Sequence, residues 1–197
     1  GSTANIAFAT LNTCGTTTYN WTNNVPSIGL AASGSGDIAA FAVVNTGNSP
    51  KIATITVTPT FENAGASCTG PSKSFTITAN PIPSVQSLSN KEFCDGVGVG
   101  AIVFDTPVAG TVCTWTNSNT AIGLAAGGTE NIPVFVATNP TANPITATIE
   151  VTPTAYGCTG TKRIFTITIN PTIKTVLSSP AQTICSGDNS AAVTLSS

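Results

Sequence analysis

Eight carboxylates, six cysteines and no histidine limit what this 197-residue chain can do chemically. Without histidine there is no Ser-His-Asp or Cys-His arrangement and no imidazole metal ligand. Paired carboxylates could still act as acid and base. However, the acids do not recur between the two copies of the internal repeat described below. Asp37 aligns with Asn131, Glu150 aligns with Thr56, and Glu62 lies in a segment that changes length. The chain is read as no enzyme. The cysteines (Cys14, Cys68, Cys94, Cys113, Cys158 and Cys185) form no CxxC pair. That argues against zinc and redox motifs and for disulfides in an oxidising compartment. Calcium could be held by Asp95, Asp188 and nearby carbonyls, but it wants six or more oxygens and the acids are too sparse. No cofactor is expected. The run DGVGVGAIVF at 95–104 has alternating glycines, yet a phosphate-cradling loop needs a helix after it and here a strand pattern follows. It reads as a turn.

Six basic residues and a net charge of -2 leave no basic patch for nucleic acid and no polybasic segment for an anionic membrane. No apolar run of membrane-spanning length is present. Thr is abundant, with 35 residues, and Thr, Val and Ile favour strands. Low charge could signal disorder. The hydrophobic 41% is instead ordered in short alternating runs, which predicts a packed β fold. There is no Met, so the chain is read as an internal piece or a processed product.

The elements that position these residues are written twice. ATITVTPT at 53–60 returns as ATIEVTPT at 147–154. Ala53, Ile55 and Val57 alternate with Thr54, Thr56 and Thr58, the two-residue period of a half-buried strand. YNWTNN at 19–24 matches CTWTNS at 113–118, and SIGLAASGSGDIAAF at 27–41 matches AIGLAAGGTENIPVF at 121–135. CTG at 68–70 matches CTG at 158–160, so the offset falls from 94 to 90 across residues 61–68. A third start, ICSGDNSAAVTL at 184–195, is similar to FCDGVGVGAIVF at 93–104. The expected domains are 1–81, 82–171 and, as linker and opening strands of a third repeat, 172–197. Each full repeat carries about seven strand signals and no helical period, which predicts an antiparallel sandwich of the immunoglobulin-like kind. The predicted core anchors are Trp21 and Trp115, Phe41 and Phe135, and Phe75 and Phe165. Phe8 with Phe104, Ile55 with Ile149 and Val57 with Val151 join them. The tryptophans could instead be sugar-stacking platforms, but a Trp on the third strand of such a sandwich is usually a core anchor. Tyr156 and Phe61 have no aromatic counterpart, sit near a turn, and are the candidate exposed contacts.

The motifs YNWTN, IGLAASGSGDI, NTG at 45–47, TITVTPT, SCTGPSKSFTIT and the closing NP resemble the PKD-like, immunoglobulin-like tandem repeats of very large Bacteroidota surface proteins. These include gliding-motility adhesins secreted by the type IX system. The resemblance covers nearly all of the chain, which lacks the WDFGDG of standard PKD domains. It implies a secreted, extracellular stalk or adhesin at the bacterial cell surface, with no catalytic residues. Its partners would be adjacent repeats and possible surface glycans or polysaccharide, with no nucleic acid and no direct membrane insertion. A carbohydrate-binding module and an accessory domain of a secreted hydrolase are the alternatives. Charge-poor faces titrate little, so such a stalk would be insensitive to salt and pH. The resemblance implies one early Cys and one in the CTG turn, hence Cys94–Cys158. Immunoglobulin-like topology allows instead Cys113–Cys158 and Cys14–Cys68. The first repeat begins past its opening strand. The tail at 181–195 is therefore expected to pack on a sheet edge, of the second module or of a neighbouring molecule, with Cys185 exposed.

Overall fold

The computed structural model describes residues 1–173, 176–177 and 181–196. Residues 174–175, 178–180 and 197, within the expected linker and opening strands at 172–197, lie outside the described residues. The fold is all-β and sandwich-like. The first sheet is built from β1 (Thr16–Asn23), β2 (Ser33–Ser35), β3 (Lys51–Asn63), β4 (Ala66–Thr69) and β5 (Lys73–Ala79). Its order is β2-β1-β3-β4, with β5 also on β3, and every pair is antiparallel.

After it come β6 (Lys91–Cys94), β7 (Gly98–Val99), β8 (Val112–Asn117), β9 (Gly127–Thr129), β10 (Phe135–Val136), β11 (Ile145–Ala155), β12 (Cys158–Thr159) and β13 (Arg163–Asn170). The second large sheet runs β6-β13-β11-β8-β9, with β12 on β11, while β10 pairs with β7 separately. β14 (Val176–Leu177) pairs with β15 (Leu195–Ser196). Among the described residues the helical segments are two three-residue 3₁₀ turns, Pro26–Ile28 and Thr120–Ile122.

The expected antiparallel sheet needs one correction. β6 joins β13 in parallel, Ile167 opposite Lys91 through Asn170 opposite Cys94. A parallel pair requires a long crossover, and the whole of residues 95–162 supplies it.

Strand alternation sorts the faces as the Thr pattern predicts. Ala53, Ile55 and Val57 on β3 and Ala147, Ile149 and Val151 on β11 are buried. The intervening threonines of β3 are half-buried and cross-link the outer face, as in Thr56 Oγ1 to Ser74 Oγ at 2.9 Å. Fully burying a side chain of the Ile or Val class contributes about 1.5–3 kcal/mol, so this face holds the sheet together.

The chain divides into two compact units. One comprises residues 1–86, 104–113 and 152–162; the other comprises 87–103, 114–151 and 163–197. Within the first, the core is Trp21, Ile28, Leu30, Ile38, Ala53, Ile55, Val57 and Ala79, with Phe8, Phe41 and Phe75 packed partly exposed against it.

Candidate functional site

The predicted core residues fall into two groups. Trp21, Trp115, Phe104 and Phe165 are buried, whereas Phe8, Phe41, Phe75 and Phe135 are half-buried. Both indoles lie inside rather than on a surface that a sugar could reach. Each Trp stands opposite a glycine on the neighbouring strand: Trp21 opposite Gly34 and Trp115 opposite Gly128. A Cβ at Gly34 would lie 2.2 Å from the Trp21 ring, and one at Gly128 2.7 Å from that of Trp115. The glycines in ASGSGD and AGGTE are thus seats for indole rings as well as turn formers.

Three apolar pairs in the same stretches escape the sequence reading. Ile28 and Ile122, Leu30 and Leu124, and Ile38 and Ile132 are all buried, most of them completely. Their identity at the 94-residue offset was the available signal.

The polar residues that recur have structural work. Asn117, 8% exposed, donates from Nδ2 to the carbonyls of Leu124 (2.9 Å) and Ala125 (3.1 Å) and accepts from Asn119 N–H (3.0 Å). Asn23 does the same for Leu30 and Val25 at 3.0 and 2.9 Å. Asn139 and Asn45 clamp a second loop onto Ile169 and Ala79 by donation to their carbonyls at 2.8 and 2.7 Å. These asparagines replace backbone partners that irregular chain cannot find for itself. Asn117→Ala is expected to cost about 1–3 kcal/mol in urea denaturation, since Leu124 and Ala125 lose their donor while the site stays buried.

Three of the carboxylates are hydrogen-bonded within the fold. Asp37 Oδ1 accepts from Phe8 N–H at 2.8 Å. Asp95 Oδ1 accepts from Asn139 N–H at 2.8 Å and its Oδ2 from Thr172 Oγ1 at 3.3 Å. Glu92 Oε1 accepts from Asn170 Nδ2 at 2.8 Å. Among the described residues no group of three or more His, Cys, Asp or Glu side chains is placed to hold a metal.

None of the six cysteines is in a disulfide, which corrects both pairing schemes and the disulfide framework read from their number. For Cys94–Cys158 the reason is topological. Cys94 lies beside Asn170, the last residue of β13, while Cys158 precedes the first residue of that strand, Arg163. Eight extended residues separate those ends by roughly 25 Å, far beyond disulfide reach. In the rival scheme Cys113 faces inward at 3% exposure, whereas Cys158 sits half-buried on β12 after a tight turn. Cys14 and Cys68 are both exposed. Alkylation of the unfolded chain without reductant should label six thiols, counted by mass spectrometry. In the native state Cys113 should lag behind the exposed Cys14, Cys68, Cys94 and Cys185.

The remaining candidates, Tyr156 and Phe61, meet different fates. Phe61 lies within β3, half-buried, paired with Thr17 on one side and Cys68 on the other. Tyr156 is 47% exposed and occupies the first position of a two-residue hairpin turn with Gly157, φ 50° and 75°. Its carbonyl accepts from Asn80 Nδ2 at 3.0 Å. No protein-family model and no curated protein matches the chain. Its function is therefore read from the geometry of its own parts.

The most informative part is the segment after Asn80. The sequence around 81–90 carries two prolines between the repeats and reads as a short linker, yet Pro81, Pro83 and Val85 are buried in alternation. Gln86 N–H donates to the Asp105 carbonyl at 2.9 Å. A Cβ at Gly160 would lie 1.8 Å from the Pro83 carbonyl oxygen, so the CTG turn at 158–160 touches the linker backbone directly. The glycine of that motif is a contact surface.

Proposed function

We propose that the chain is a piece of a very large secreted bacterial cell-surface protein, built of tandem PKD-like, immunoglobulin-like β-sandwich modules. It acts there as a non-catalytic spacer or adhesin stalk. The observation that carries this reading is the seated linker. A stalk transmits position only if its joints are ordered, and residues 81–86 are held by burial, by the Gln86–Asp105 bond and by Gly160. The internal repeat supports it: the same run of strand, 3₁₀ turn and strand follows Trp21 and Trp115. Thiols that form no disulfide lend no weight to an oxidising compartment, so the surface location rests on the resemblance and on this architecture.

Antibody raised against the chain should label intact source cells before permeabilisation. Labelling that requires permeabilisation would remove the surface reading. Backbone relaxation should give residues 82 and 84–86 order parameters near 0.85, as in rigid secondary structure. Gly160→Ala should lower them. A carbohydrate-binding reading draws on the exposed Tyr156 side chain, held at a positive φ that bulky residues rarely adopt. Reproducible glycan-array binding abolished by Tyr156→Ala would favour it.

A further inference from the structure

The second repeat is entered and left along neighbouring strands that run the same way. Lys91 begins β6 and Asn170 ends β13. The two strands pair in parallel, from Ile167 opposite Lys91 to Asn170 opposite Cys94. The chain before β6 is therefore attached at one end of this pair, and the chain after β13 at the other. Tension along the chain draws β6 backward and β13 forward, so the pair is loaded along its strands. Hydrogen bonds loaded in that direction share the load and fail together. A pair pulled from one end instead opens one bond at a time. β6 stands at the margin of its sheet, with β13 as its neighbour. The tail at 181–195, expected on a sheet edge, does not pair with this one, because β6 already fills it.

Side chains fasten both ends of the pair. At the entry, Thr166 N–H donates to Asn90 Oδ1 at 3.0 Å, so a side chain continues the ladder just before β6 begins. At the exit, the Asn170 carbonyl accepts from Asp95 N–H at 2.9 Å, and Asn170 Nδ2 donates to Glu92 Oε1 at 2.8 Å. Past the strand, Thr172 Oγ1 donates to Asp95 Oδ2 at 3.3 Å, while Asp95 Oδ1 accepts from Asn139 N–H at 2.8 Å. The outgoing chain is thus tied back to the turn that ends β6. Beneath the ladder, Phe165, Ile167 and Ile169 of β13 are buried and Phe93 of β6 is half-buried, so the pair is backed by core.

We propose that β6 and β13 form a load-bearing clamp that keeps the second repeat folded while the chain is under tension. The inference deepens the stalk reading and takes from it the source of the tension. Forced unfolding is governed by the unfolding rate and not by equilibrium stability. A clamp therefore depends on the direction of pull, which a merely well-packed core does not. By the alternation of the ladder, the Phe93 N–H is aimed at the Thr168 carbonyl, two residues before the Asp95–Asn170 bond. Proline is tolerated on an edge strand only where the N–H faces solvent, so Phe93→Pro breaks the clamp at its middle.

The test is single-molecule force spectroscopy of the whole chain, in reductant, with handles attached through unnatural side chains at exposed positions. Handles at Ser89 and Ile173 pull the pair along its strands; handles at Ser89 and Thr161 peel it open from the entry end. At equal loading rate, wild type should rupture at a several-fold higher force in the first geometry than in the second. Phe93→Pro and Asn90→Ala should bring the two forces together. Ile149→Val, which thins the buried core beside β13, should leave their ratio unchanged. Tryptophan fluorescence checks that each variant is folded; if Phe93→Pro is not, Asn90→Ala and the wild-type ratio decide. Equal forces in the two wild-type geometries overturn the proposal. So does a ratio that the folded clamp variants leave unchanged, or that Ile149→Val lowers as much as they do. Antibody labelling of intact cells judges the stalk reading separately, so either can fail alone.

Discussion

Trp115→Ala is expected to lower the unfolding free energy by about 3–5 kcal/mol in equilibrium denaturation, the range for removing a buried large aromatic. The side chain is 3% exposed, and its ring lies against Gly128 on the adjacent strand. That glycine has no side chain to move into the hole, so the neighbourhood cannot collapse cheaply. Gly128→Ala approaches the same contact from the other side: its Cβ would meet Cζ2 at 2.7 Å. It should also destabilise, by about 1–3 kcal/mol as overpacking does. A loss below about 1 kcal/mol for Trp115→Ala would fit a surface residue and not a core anchor.

The second large effect is expected at Gly123, which ends the 3₁₀ turn Thr120–Ile122 with φ 89° and donates to the Thr120 carbonyl at 3.1 Å. An L side chain there has two costs. The left-handed backbone costs roughly 1–2 kcal/mol. The added Cβ would also sit 2.1 Å from the Val136 carbonyl oxygen, a backbone atom that moves only if the strand moves. Gly123→Ala should therefore lose about 3 kcal/mol or more, combining strain and overpacking. Gly157 separates the two costs. Its φ is 75°, with nothing within 4 Å of the position a Cβ would take. Gly157→Ala should show only the backbone cost, about 1–2 kcal/mol. Equal losses at the two sites in parallel urea titrations would mean that the Val136 contact is not made.

The change of offset from 94 to 90 shows how a sequence can be read correctly and still be misplaced. Residues 61–68 look like a loop of variable length. They are a β-hairpin, with Asn63 opposite Ala66 around Ala64-Gly65, φ 48° and 83°. The second copy turns at Tyr156-Gly157, with Ala155 opposite Cys158. Ala64 to Tyr156 is an offset of 92. Two residues are therefore missing from each arm, one full pleat per strand, and no side chain changes face. The letters hid this because Ala-Gly and Tyr-Gly share a backbone conformation, not a composition.

The sequence by itself determined the all-β fold, the faces of the long strands and the burial of both tryptophans. These follow from alternation and from pairs repeated at a fixed offset, which are local signals carried along one strand. Tertiary structure alone decided which strands became neighbours. It set β6 parallel on β13, placed Gly34 and Gly128 beneath indole rings, and put Cys94 and Cys158 at opposite ends of one strand. It also turned a proline linker into a buried segment against Gly160. The physical reason is that period-two alternation says which way a side chain points, while its contact partner depends on loop closures tens of residues away.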